Sequence, residues 1–573
     1  MIHIADETNA ERIEHKSRKN FFLGTIIGYL AVLAGVAYGL FMTPEIIKSP
    51  IIGETQYGLY GLANSVITFF LMDFGLNTAA TSYLARLRAN GDKEGVERFS
   101  AGIFKLYLTL DVLFLIIITG IYFAAPYIFQ KYSPEDIKTL QWLFVIIGCL
   151  GLINLPCYTF TGVISTYEKF GYLKTVELVQ KLLYLAFTIL SLQLKWTING
   201  SGIIPIVLIN ACTALVSVVM RVLYSRYYLN VHFDIRKKIT KQEKKEVLSF
   251  SAWGFITGLC SRLVITITPF ILGVVANPDA VTLFTLISTI EIYIYTFGTI
   301  ITNFFMAKIA RTTHDGTEEE KIKHMQDLGE RIGKIQFVII AMIVFGFASV
   351  GQEFVLFWMK GDYKFLILYW CILAISGYEI FHIPQLIFND ALITRGTIKP
   401  VAIVAIIKAV VNLGLSFGLS YLFAESKVFS DLWYGSGAVG ASIAIAAARI
   451  VELIGLNFVY KKYLKISISH YFKSIYIRGF ITIAISFGVG LGLHYLELLN
   501  SMNSVKLLFN GVVFVIVYTL CTLFITFTKE ERQYYLKAVM RIMHIKPRKK
   551  KEETPQIEEP SEPLENGEDK KEE

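Results

Sequence analysis

Cysteine is scarce in this chain, and each one stands alone. The six cysteines, Cys149, Cys157, Cys212, Cys260, Cys371 and Cys521, all fall inside apolar runs. None forms a C-x-x-C pair or has a histidine at ligand spacing, which argues against a disulfide framework and a zinc site alike. Charge is also thin: 18% of residues are charged and 54% are hydrophobic, which excludes a string of soluble domains despite the length. Catalytic signatures are missing too. There is no Walker loop, no G-x-S-x-G and no H-E-x-x-H, and no soluble segment large enough to hold a nucleotide. A membrane-embedded polymerase or ligase would need a large external loop for its site, and none is present. The expectation is a non-enzyme with no cofactor, no metal and no nucleic-acid partner.

What the chain does have is apolar runs of about twenty residues, each the length that crosses a bilayer as a helix. Fourteen spans are expected, at about 21–42, 57–81, 101–124, 139–164, 175–195, 201–223, 249–276, 280–305, 334–352, 364–390, 398–422, 433–459, 477–496 and 506–527. The polar start, Met1 to Asn20, has no small-residue cleavage site behind it, so the first span reads as a retained anchor. Most of the 55 Lys and Arg fall in alternate loops on one side. The positive-inside rule places that side, with both termini, in the cytoplasm. The fold class expected is therefore an all-α polytopic membrane protein with about 14 transmembrane helices.

A duplication organises those spans. At a constant spacing of 225 residues, Thr43-Pro44 falls on Thr268-Pro269, and Ala85-Arg86, Gly91 and Glu94 fall on Ala310-Arg311, Gly316 and Glu319. Gly171 and Lys174 match Gly396 and Lys399 in the same register, and Pro156 has a counterpart in Pro384. Self-similarity at a fixed spacing marks a repeated unit, and repeated halves are common in transporters, with the substrate site between them. The division expected is a cytoplasmic start (1–20), an N-lobe (21–223), a basic linker (224–248), a C-lobe (249–459), two appended helices (460–527) and a cytoplasmic end (528–573). Within that end, Lys529–Ile545 has apolar residues at helical spacing and suits the inner membrane surface. The acidic, Pro-rich stretch after it has a disordered composition.

Ionisable side chains at mid-span are costly, so each is a candidate for function. The second half carries Arg262, Glu291, Glu379, His382, Lys408, Arg449 and Glu452; the first carries Asp73, Lys105, Asp111, Glu177 and Lys181. A phosphate-bearing head group crossing the bilayer needs a fixed cation, and arginine offers planar paired donors. Arg262 is the first choice for substrate binding and Lys408 the second. Ion coupling needs a titrating or cation-binding group, for which Asp73, Glu291, Glu379 and His382 are candidates. A plainer reading stands beside this one. Arg262 and Glu291 lie at matching depth on consecutive helices and could form a structural pair, and Arg449 and Glu452, three apart, could pair locally. Lys105, Glu177 and Lys181 are within snorkelling reach of the interface.

With those residues in view, the chain resembles the multidrug/oligosaccharidyl-lipid/polysaccharide exporter superfamily, in its polysaccharide (O-antigen or capsule type) flippase branch. The resemblance rests on Ile52-Gly53-Glu54-Thr55-Gln56-Tyr57-Gly58-Leu59-Tyr60 entering the second span, on Phe74-Gly75-Leu76-Asn77, on Ala85-Arg86, and on the two-lobe layout. It implies alternating access that moves an undecaprenyl-diphosphate-linked oligosaccharide from the inner to the outer leaflet of a bacterial cytoplasmic membrane. It also implies membrane lipids, an H+ or Na+ coupling ion and polysaccharide-assembly proteins as partners. A cation-coupled multidrug antiporter of the same superfamily is the alternative.

Overall fold

A backbone in hydrocarbon has no water to bond, so apolar runs satisfy their own amides by coiling into helices. The computed structural model describes residues 24, 26–71, 76–232, 240, 256–299, 317–395, 397–495 and 503–533, and among them there is no named strand. Twelve helices among the described residues are long and apolar enough to cross a membrane, and each coincides with one of the fourteen expected spans. Asp73, Ala310-Arg311, most of the basic linker and the segment after residue 533 lie outside the described residues.

The helices are α1 (Ile26–Ile47), α2 (Gly53–Phe70), α3 (Leu76–Ala89), α4 (Lys93–Ile128), α5 (Pro134–Thr166), α6 (Phe170–Gln193) and α7 (Ile203–Tyr228). After the linker come α8 (Thr268–Val275), α9 (Pro278–Thr299), α10 (Glu318–Trp358), the interrupted α11 (Tyr363–Ile393), α12 (Lys399–Glu425), α13 (Ser436–Leu464), α14 (Ile468–Tyr495) and α15 (Asn503–Cys521). Caps follow the local sequence. Ser133 accepts from the Asp136 amide ahead of an acidic first turn, and Thr317 and Glu320 form a capping box.

The two expected spans that are not single long helices are 57–81 and 249–276. The first is α2, rich in glycine, hydroxyl and amide residues, which stops at Leu71 before α3 begins at Leu76. The second is helical over 256–262, turns over 263–267 and resumes as α8. That turn is built by Pro269, which cannot donate to the Ile265 carbonyl. The freed groups find other donors, as a buried break requires. Thr268 N–H reaches the Ile265 carbonyl at 3.3 Å, the Thr268 hydroxyl reaches Val264 at 2.7 Å, Asn412 donates to the Leu263 carbonyl at 3.1 Å, and Ser65 donates to Thr266. In α1 a π-helical turn, Tyr38–Met42, comes immediately before Thr43-Pro44. Both copies of the Thr-Pro motif therefore follow a distorted turn. The other proline pair behaves differently: Pro156 lies inside the continuous α5, while Pro384 sits in a 3₁₀ turn that interrupts α11.

In the first half, α5 packs against α2, α3, α4 and α7; in the second, α9, α11 and α13 pack together and α12 lies along α13. Helices α14 and α15 pack on α10. The halves meet most closely where α2 crosses α9. Gly58 and Gly61 make that approach possible, because a Cβ on either would collide with the hydroxyl of Thr282 or Thr285.

At the end of the molecule where α1 leads into α2, charged loop residues tie the halves together. Lys48 Nζ donates to Asp362 at 2.5 Å, Lys364 Nζ to Glu54 at 2.7 Å, and the Tyr434 hydroxyl to Glu54 at 2.7 Å. Lys131 donates to Glu425 at 2.8 Å and Lys360 lies 2.8 Å from Glu45. Glu54 is the hub of this lattice, since Lys48 also lies 3.7 Å from it.

Candidate functional site

Two groups of polar side chains face internal cavities. The first is a charged cluster in the second half. Helix α13 is lined with Gly437, Ala438, Gly440, Ala441 and Ala444, whose small side chains let α12 come close, and it buries Arg449 and Glu452 one turn further on. Arg449 donates to Glu291 of α9 at 2.5 Å and to the Ile375 carbonyl of α11 at 2.9 Å, and lies 3.1 Å from Glu379. Lys408 of α12 donates to Glu452 at 2.6 Å. The interruption of α11 at Gly377-Tyr378 aims the Tyr378 hydroxyl at Glu452, 2.6 Å away, and places it 2.8 Å from His382 Nδ1.

The cluster lines a cavity of about 370 Å³. Three carboxylates (Glu291, Glu379 and Glu452) face two fixed cations (Arg449 and Lys408). Glu379 is 1% exposed, and its Oε2 has no hydrogen-bond partner among the described residues. A buried carboxylate oxygen left unpartnered, in a cluster with one excess negative charge, has the chemistry to accept a proton. Among the described residues no group of His, Cys, Asp and Glu converges to hold a metal ion.

The second group surrounds Arg262, the last helical residue before the turn at 263–267. Its guanidinium donates to the Thr68 carbonyl at 3.0 Å and lines a cavity of about 210 Å³ with Asn64, Asn154, Asn210, Tyr60 and Tyr158. A further cavity of about 370 Å³ shares the Tyr60, Asn64 and Thr68 walls with it and shares Ile265 and Ile292 with the charged cluster's cavity. The three cavities therefore adjoin one another.

The structure thus brings Glu291, Glu379, His382 and Lys408 into one cluster and sets Arg262 apart from it. The proposed Arg262–Glu291 pair does not form, because Glu291 is held by Arg449. Nor do Arg449 and Glu452 serve each other. They share a helix face, but Arg449 reaches α9 and α11 while Glu452 reaches α12. Arg449 and Glu452, in-span candidates whose spacing also allows a local pair, instead join Glu291, Glu379 and Lys408; the sequence signal for the cluster is these five in-span charges of mixed sign at similar depth. Lys408, expected beside phosphate, is engaged by a carboxylate. Near the interface, Glu177 takes both Lys174 and Lys181, at 2.9 and 3.0 Å.

This arrangement can be set beside known proteins. Residues 24–294 match the family model described as polysaccharide biosynthesis protein. The solved structure titled lipid II flippase MurJ, inward closed conformation, superposes with a TM-score of 0.65 over 90% of this chain and 100% of its own, at 14% identity. The fold is that of the multidrug/oligosaccharidyl-lipid/polysaccharide (MOP) exporter superfamily. An inward-facing multidrug resistance MATE family transporter of the MOP superfamily matches with a TM-score of 0.57 over 76% of this chain and 99% of its own, at 14% identity. A MOP superfamily transporter from Pyrococcus furiosus, titled for the reverse polarity of its binding pocket, gives 0.54 over 79% and 97%, at 13% identity. Comparison with curated protein sequences gives no match. Twelve helices long and apolar enough to cross a membrane mark the chain as a multi-pass membrane protein, and the named structural neighbours are transporters and a flippase.

Proposed function

We propose that the protein is a flippase that carries an undecaprenyl-diphosphate-linked oligosaccharide from the inner to the outer leaflet of a bacterial cytoplasmic membrane, for surface polysaccharides of the O-antigen, capsule or exopolysaccharide kind. The lobes 21–223 and 249–459 alternate in exposing the cavities between them. The observation that carries this reading is Arg262. Its guanidinium has no acidic partner among the described residues, and it opens on a cavity where Asn64, Asn154, Asn210, Thr68 and two tyrosines share the walls with aliphatic side chains such as Ile147 and Leu155. An arginine with its charge unspent can take up diphosphate oxygens through paired donors.

Coupling belongs to the charged cluster. Its carboxylates are already engaged by Arg449 and Lys408, which favours a proton over Na+ as the bound ion, with Glu379 as the acceptor. In this reading Lys408, bonded to Glu452, serves the cluster rather than the phosphate. The MATE-like fold also suits a drug antiporter. However, among the described residues no Asp or Glu lines either cavity next to Arg262, so a cationic drug would meet a guanidinium with no described carboxylate to receive it.

The test is a deletion strain with radiolabelled lipid-linked sugars. Undecaprenyl-diphosphate glycan should collect on the cytoplasmic face while surface polysaccharide is lost. The native gene restores export, whereas Arg262→Ala accumulates in the membrane and does not. Unchanged lipid-linked pools with heightened sensitivity to cationic dyes would replace the flippase with the antiporter.

A further inference from the structure

The larger cavity beside Arg262 has a lining unlike either neighbour. Tyrosines 38, 57, 60, 184 and 293 converge on it from α1, α2, α6 and α9, with hydroxyl groups from Ser65, Ser288 and Thr289 between them. Among the described residues, no Asp, Glu, Lys, Arg or His contributes to its walls. Three of the rings are held in place. Tyr38 and Tyr184 stack with centroids 4.6 Å apart, and the Tyr38 hydroxyl donates to that of Tyr184 at 2.7 Å. Tyr293 donates to the Gly35 carbonyl at 3.0 Å, which fixes its ring between α9 and α1. At about 370 Å³ the cavity falls within the usual size of small-molecule sites, about 300–1,000 Å³.

We propose that this compartment is a sugar subsite selective for uncharged residues, holding the first sugar or sugars next to the diphosphate. The inference rests on the flippase reading of the adjoining Arg262 cavity. A pyranose ring offers an apolar C–H face and a rim of hydroxyls. Tyrosine ring faces meet the first, and phenol, serine and threonine hydroxyls meet the second as donors and acceptors. The shared walls at Tyr60, Asn64 and Thr68 put this compartment one step from the guanidinium, as a sugar directly bonded to the diphosphate requires. A sugar carboxylate entering here would lose its water and find no cation, and burying an unpaired charge is strongly unfavourable. The same lack of charge disfavours a cationic ligand. The lining comes from both halves of the chain, so the subsite is complete only while they are packed together.

The experiment measures binding to purified full-length protein in nanodiscs with three probes: undecaprenyl diphosphate, undecaprenyl diphosphate N-acetylglucosamine and its glucuronic acid counterpart. The native protein should bind the N-acetylglucosamine lipid about tenfold tighter than the bare diphosphate, and the glucuronyl lipid no tighter than the bare one. Tyr184→Leu should erase the sugar-dependent gain and leave diphosphate binding intact. Thr289→Arg should give the glucuronyl lipid the advantage it lacked, which keeps the proposal testable if Tyr184→Leu does not fold. A sugar-dependent gain that survives in folded Tyr184→Leu, or glucuronyl binding as tight as N-acetylglucosaminyl binding to the native protein, overturns the subsite. Failure of the flippase reading looks different: no diphosphate lipid binds at all, and Arg262→Ala changes nothing.

Discussion

Replacing Glu54 by glutamine keeps the side chain's shape and removes the charge at the centre of the lattice joining the two halves. Its carboxylate holds Lys364 and the Tyr434 hydroxyl, each at 2.7 Å, with Lys48 at 3.7 Å. The Glu54 side chain is 20% exposed, so these bonds are partly shielded from water. An exposed ion pair contributes about 0.2–1 kcal/mol, and a hydrogen bond to a charged group about 1.5–3 kcal/mol. Loss of the hub should therefore cost about 1–3 kcal/mol of closure, which shifts the open-to-closed ratio by about 5- to 150-fold. The Lys48–Asp362 bond and the bond from Thr282 to the Glu54 carbonyl, at 2.8 Å, remain to preserve the fold. The assay places a single cysteine at Ser288, on the central cavity wall, in a background without the six native cysteines. A membrane-impermeant maleimide is then applied from outside intact cells. The charge bias of the loops predicts that this end faces outward, and on that expectation Glu54→Gln should raise the labelling rate by up to that ratio. A rate equal to the parent's would show that the lattice does not hold the halves shut.

Three other outcomes are expected. Asp362 feels burial that opposes its charge, but the hydrogen bond from Lys48 and the amide of Lys364 prevail and hold its carboxyl below the ordinary 3.8. A lowered carboxylate gives its full stabilisation above the ordinary value and loses it as pH falls through the lowered one. Divided at each pH by the rate of a freely accessible cysteine, since the reactive thiolate itself becomes scarcer in acid, the labelling rate should accordingly be flat from neutral pH to mild acid; a rise in that ratio at mildly acidic pH would contradict this. Arg449→Leu strands Glu291 and Glu379 without their cation, at a cost of about 3–5 kcal/mol. Thermal unfolding in detergent should show that loss, and adding Glu291→Gln and Glu379→Gln should recover most of it; no recovery would mean that packing, not charge, was lost. Glu379→Gln should make flipping indifferent to an imposed pH gradient while lipid binding persists, and an undiminished response would move the proton elsewhere.

Sequence by itself determined the helical class and the positions of twelve spans, because bilayer thickness sets the length of an apolar run and the backbone then has no alternative to coiling. It also marked the Thr-Pro positions, since proline withholds an amide wherever it stands, and it picked out the charged residues, since charge in hydrocarbon is too costly to be incidental. It could not assign those charges their partners. Arg449 and Glu452 are neighbours along one helix, yet their partners come from α9, α11 and α12, and only the close approach of small residues on α13 decides that. The tyrosine compartment was invisible for a related reason. In a chain with 31 tyrosines, those that anchor at the interface and those that converge on a cavity are the same residue type. Only packing, which joins α1, α2, α6 and α9 around one space, tells them apart.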